Sequence, residues 1–113
     1  MSISYNDSGD LRTIAVSGRL DVEGTDSVAD KLAELVKAAR KGVVVDLSAL
    51  KFLASIGIRT LILAAKELKA RGGRMVLVVD SDSTVMMSIK ATGIDQLMPV
   101  FDDSSDAERA AVA

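Results

Sequence analysis

The sequence contains no cysteine and no histidine. Disulfides, thiol nucleophiles, Cys/His zinc sites and a histidine general base are thereby excluded. Tryptophan is absent and aromatics make up 3% of the chain, too few for surfaces that stack nucleic-acid bases. Neither charge sign dominates. The 14 Lys+Arg and 16 Asp+Glu leave a net charge of −2, whereas proteins that track phosphate backbones carry a basic excess. A nucleic-acid partner is therefore not expected. No apolar run approaches the roughly 20 residues needed to cross a bilayer. The start, Met1-Ser2-Ile3-Ser4-Tyr5-Asn6-Asp7, lacks the basic and apolar regions of a secretory signal. The expectation is a cytoplasmic protein without membrane insertion.

What is present is a normal globular mixture, 49% hydrophobic and 27% charged over 113 residues. That length suits one domain spanning 1–113 with one sizeable core. Residues 2–7 and 11–17 read as strands joined by the turn Ser8-Gly9-Asp10. Gly18 to Gly24 reads as a loop, with Thr25 or Asp26 as cap of the next helix. That helix is predicted over 27–40, because Val28, Leu32, Leu35, Val36 and Ala39 form one apolar face. Gly42 is read as its stop.

Val43-Val44-Val45-Asp46-Leu47 has the continuous apolar character of a parallel strand covered on both faces. Residues 48–54 read as a connection, and 55–70 as a second helix closed by Arg71-Gly72-Gly73. Met75 to Val79 is a further strand and 83–91 a third helix. Residues 97–101 read as a last strand, placed at an edge because Pro99 has no N–H. The tail from Asp102 suits a short helix capped by Asp103 or Ser104. Met75, Met86, Met87 and Met98 are expected as core filler. The order ββαβαβαβα requires crossover connections, so the predicted class is α/β with a mixed, largely parallel sheet.

Asp21, Asp46, Asp80, Asp82 and Asp95 fall at element ends, where caps and turns account for them. No phosphate loop or dinucleotide fingerprint is present: Gly72-Gly73 follows a helix rather than opening one. No catalytic, metal or cofactor site is expected. Ser55 is the most informative polar residue, since it opens the second helix. It reads either as an N-cap or as a phosphoacceptor, because free N–H groups and the positive helix end favour an anion there. Arg59 lies one turn further along the same face. Ile56 falls off the buried stripe, which favours exposure. Gly57 permits close backbone approach, either within the core or by a partner.

Three stretches together resemble a STAS domain of the bacterial anti-sigma-factor antagonist type. Gly18-Arg19-Leu20-Asp21 resembles the family's Gly-Glu-Leu-Asp. Val43 to Ile58, ending Phe52-Leu53-Ala54-Ser55-Ile56-Gly57-Ile58, resembles its strand, loop and Met-Asp-Ser-Ser-Gly-Leu signature. Thr92-Gly93-Ile94-Asp95 resembles the closing Thr-Gly-Leu-Asp.

The resemblance implies a binding module without catalysis of its own. Unphosphorylated, it would bind an anti-sigma-factor serine kinase of the GHKL ATPase type. Phosphorylation of Ser55 would release it, and a metal-dependent serine phosphatase would reset it. It implies a partner face of Asp21, Thr25, Ile56, Gly57, Arg59 and Thr60, and a monomer when free. This chain departs from the family pattern at Ala54, where an Asp is usual, at Ile56 in place of a second Ser, and at Arg59, often Gly. Two other readings stand beside this one: a STAS subunit of a membrane lipid-transport ATPase, and a nucleotide-binding protein. Retention of Ser55 weighs against the first, and the missing phosphate loop against the second.

Overall fold

The computed structural model describes residues 2–113. Two strands, β1 (Ser2–Ser8) and β2 (Leu11–Leu20), form an antiparallel hairpin. Then come α1 (Val22–Lys37), β3 (Gly42–Asp46), β4 (Leu50–Leu53), α2 (Ser55–Ala70), β5 (Arg74–Val78) and α3 (Thr84–Thr92). A 3-10 turn at Ile94–Gln96, the short β6 (Val100–Phe101) and α4 (Ser104–Ala111) complete the order.

The sheet runs β1-β2-β3-β5-β6, with β4 paired to β2. Every pairing except β1–β2 is parallel. The α/β class and the mixed, largely parallel sheet agree with the sequence reading. β3 shows why its sequence is uniformly apolar. Val43 and Val45 enter the core beneath α1 and α2, with Ile14, Val16, Leu32, Leu61 and Leu77. Val44 points to the opposite face, where Val76 and Val78 meet Ala107 and Ala111 of α4. Both faces of the central strands are covered, as parallel sheets require.

The structure corrects several boundaries. Gly18 and Arg19 are not loop but the end of β2, and α1 begins at Val22, five residues before the predicted start. Its cap is Asp21, whose Oδ1 accepts the Gly24 N–H at 2.8 Å, not Thr25 or Asp26. Residues 50–53, predicted as connection, form β4. The predicted strand over 97–101 shrinks to Val100–Phe101 because the 3-10 turn occupies the approach. That strand does lie at the sheet edge. Gly42 does not stop α1, which ends at Lys37. It opens β3, where an added Cβ would stand 2.6 Å from the Ala111 carbonyl oxygen, so the residue lets α4 lie close on the sheet. Met87 is exposed, whereas Met75, Met86 and Met98 are buried.

Candidate functional site

The site is built where two parallel strands end side by side. Leu20 closes β2 and Leu53 closes β4, in register. The Ala54 N–H donates to the Leu20 carbonyl at 3.0 Å, which holds the two chain exits together. Each exit turns at once into a helix, α1 from Val22 and α2 from Ser55. Two helix N-termini, each with free amides and a partial positive charge, are thereby juxtaposed at the carboxyl ends of the strands.

The two termini differ. At α1 the Asp21 carboxylate is committed: Oδ1 caps Gly24, and Oδ2 lies 3.7 Å from the Arg19 Nε. At α2 the N-cap position is Ala54, and no side chain caps the helix. Ser55 is thus not the N-cap serine that one of its sequence readings allowed. It is the first helical residue, and it is exposed.

The predicted site residues separate into two sets. Ser55, Ile56, Arg59 and Thr60 lie on the first two turns of α2, with Ile56 42% exposed. Arg59 is exposed and takes part in none of the ion pairs among the described residues. The Thr60 hydroxyl is occupied, donating to the Ile56 carbonyl at 3.0 Å. Asp21 joins this group from α1 through the Leu20–Leu53 register. The second set lies beneath the surface. Thr25 is 3% exposed, on the α1 stripe with Val28 and Leu32, and its hydroxyl has no hydrogen-bond partner among the described residues. A partner cannot touch that side chain directly. Gly57 is buried as well. A Cβ there would come 2.9 Å from Leu53 Cδ1 and 3.0 Å from Leu20 Cβ. Its close approach is therefore to its own strands, and it sets how tightly the α2 tip sits on the sheet.

Sequence reasoning missed an apolar rim. Val22, the first residue of α1, is 67% exposed, and Phe52, just before the α2 start, is 38% exposed. The Arg19 guanidinium stacks over the Phe52 ring at 4.6 Å, a cation–π contact that ties the ends of β2 and β4 together on the outside. Phe52 is one of only two phenylalanines, and a scarce aromatic shortly before a helix start was the available signal. Among the described residues no cluster of acidic side chains could hold a metal ion, and no helix is long and apolar enough to cross a membrane. What the arrangement offers is an exposed hydroxyl on an uncapped helix tip, with exposed Ile56 and Arg59 on the same two turns of the helix. That suits docking and modification of the hydroxyl.

Comparison with known proteins gives the family and bears out the fold. The model of the STAS domain matches residues 2–107. The anti-sigma-F factor antagonist RsfB of Mycobacterium tuberculosis is 26% identical over 107 residues, covering 95% of this chain and 86% of that protein. The crystal structure of an anti-sigma factor antagonist from Mycobacterium paratuberculosis superposes with a TM-score of 0.89 at 25% identity, covering 99% of this chain and 94% of the other. The Bacillus cell fate determinant SpoIIAA, in its phosphorylated form, shares the fold with a TM-score of 0.69 at 18% identity, over 96% and 99% of the two chains. With the family model spanning nearly the whole sequence, the chain belongs to the STAS domain family.

Proposed function

We propose that this chain is an anti-sigma-factor antagonist, acting in the cytoplasm as a single STAS module over 1–113 without catalysis of its own. It binds an anti-sigma-factor serine kinase of the GHKL ATPase type through the face around Ser55. Phosphorylation of Ser55 by that kinase dissolves the complex, and a metal-dependent serine phosphatase restores the binding form. The observation that carries the reading is Ser55 itself, exposed on the uncapped tip of α2 beside exposed Ile56, with exposed Phe52 and Val22 near the paired strand ends that lead into the two helices. The names of the Mycobacterium relatives support it.

The physics of release follows from the rim. Exposed apolar side chains contribute roughly 25 cal/mol per Å2 when a partner covers them. A partner that covers Ile56 also meets the Ser55 hydroxyl, its exposed neighbour at the tip of α2. A phosphate added there brings about −1.5 to −2 charges. Burying those charges without matched cations costs several kcal/mol, and each 1.4 kcal/mol is about tenfold in affinity. Loss of roughly two to three such units is enough to free the module. Arg59 is the cation on the same two turns of α2, and its place along the helix suits contact with an acidic rim on the kinase.

The test is the phosphorylation state of the protein isolated from its host with phosphatases inhibited, by intact mass and peptide mapping. Phosphate on Ser55 is expected. A protein that carries none under conditions where the kinase is active would overturn the reading.

A further inference from the structure

The two edges of the sheet are finished differently. At one edge, β6 is two residues long and follows Pro99, so it offers little to pair with. At the other, β1 is seven residues long and pairs with β2 in unbroken register from Ser2↔Ser17 to Ser8↔Leu11. It contains no proline, no lysine and no bulge, the usual means of blunting an edge. Nothing among the described residues pairs with its outer side.

The turn fixes which backbone groups are free. Gly9 and Asp10 form a two-residue connection, so Ser8 and Leu11 are a hydrogen-bonded pair. Bonded and non-bonded pairs alternate from there. Ser2, Ser4, Asn6 and Ser8 therefore use their amides and carbonyls on β2, while those of Ile3, Tyr5 and Asp7 face outward.

We infer that β1 is a self-association edge, joining two copies of this chain antiparallel about a two-fold axis at Tyr5. In that register Tyr5 exchanges backbone bonds with Tyr5 of the second copy, and Ile3 with Asp7 of the second copy. The strand is self-complementary in charge. Its one charged residue, Asp7, lies off-centre and meets an isoleucine rather than itself. Asp7 is also already neutralised: Arg12 holds both its oxygens, at 2.7 and 2.8 Å, and that hydrogen bond lowers the carboxyl pKa below its ordinary value. Arg12 also stacks on the Tyr5 ring at 4.5 Å, which orders the chain's one tyrosine while leaving it 51% exposed. Two such rings would lie directly opposite each other, a favourable cross-strand pair. A single strand pair buries less than a standard interface, so the dimer is reversible, dissociating in the micromolar to millimolar range. Its axis lies beside Ile14, the partner of Tyr5 within β2, whereas the Ser55 face begins beyond Leu20.

The experiment is sedimentation velocity from about 1 µM to about 1 mM, with amide spectra of 15N-labelled protein over the same range. A monomer–dimer equilibrium is expected, with concentration-dependent shifts and slowed exchange at the Ile3, Tyr5 and Asp7 amides. Tyr5→Lys should raise the dissociation constant at least about tenfold. Tyr5→Pro removes the ring together with an N–H that bonds nothing within the chain, so it should leave the β1–β2 ladder intact and be monomeric as well. A strictly monomeric protein at the highest concentration would overturn the proposal. So would a dimer whose shifts cluster around Ser55, one indifferent to Tyr5→Lys, or β1 amides protected only when another protein is added.

Discussion

The starts of α1 and α2 are neighbours built on one plan, and they are finished in opposite ways. Both leave the ends of paired parallel strands, and both stand over Leu20. Asp21 closes the α1 start with its own carboxylate, and Arg19 engages the other oxygen. Ala54 leaves the α2 start open, with Ser55 exposed beside it. A closed helix tip serves stability. An open one, bordered by exposed apolar side chains, retains N–H groups that can meet an anion or a partner. The contrast locates the proposed docking face on α2 and gives α1 a supporting role.

Substitutions can break or sharpen this contrast. The largest effect is expected at Leu20, which is 3% exposed and whose carbonyl receives the Ala54 N–H. Leu20→Ala should cost about 2–5 kcal/mol of stability, read by chemical denaturation, because it removes the packing shared by both helix starts. Next comes Asp21→Ala, which makes the α1 start resemble that of α2. It should cost about 1 kcal/mol. The converse, Ala54→Asp, gives α2 the cap it lacks and should add a similar or smaller amount, up to about 1 kcal/mol. If Ala54→Asp leaves the denaturation midpoint unchanged while Asp21→Ala lowers it, the α2 start is already satisfied and the contrast fails.

Much of this architecture is legible in the sequence, and the failures have physical causes. Continuous apolar runs mark β3 and β5, and helical spacing marks α2 and α3. Asp103, one of the two residues expected to cap α4, accepts the Ser105 N–H at 3.1 Å. The start of α1 escapes the pattern because Val22 is exposed and Gly24 sits within the helix, so the apolar stripe begins later than the helix does. β4 escapes it because its four residues are buried only at the ends, Leu50 and Leu53, and it pairs with β2 across a register shift. That burial pattern is not the alternation by which a strand is recognised.

The site is legible to a similar degree. Ser55 stands out by its place at a helix start and by the resemblance of its surroundings. Thr25 was expected on the partner face, yet its spacing to Val28 and Leu32 already puts it on the buried stripe. Val22 leaves no such signal, because nothing in a linear pattern separates an apolar residue that packs inward from one left at the rim, whereas Phe52 is marked only by its scarcity. Gly57 had two readings, and the contacts of a Cβ with Leu20 and Leu53 decide for packing.

The most direct test of the central claim is calorimetry of the host's anti-sigma-factor kinase, without ATP, against this protein unmodified and stoichiometrically phosphorylated on Ser55. The unmodified protein and Ser55→Ala should bind alike, and the phosphorylated form at least about 100-fold more weakly, a loss of roughly 3 kcal/mol. Equal affinities for the two forms would contradict the account, since the open tip of α2 would then not lie within the interface.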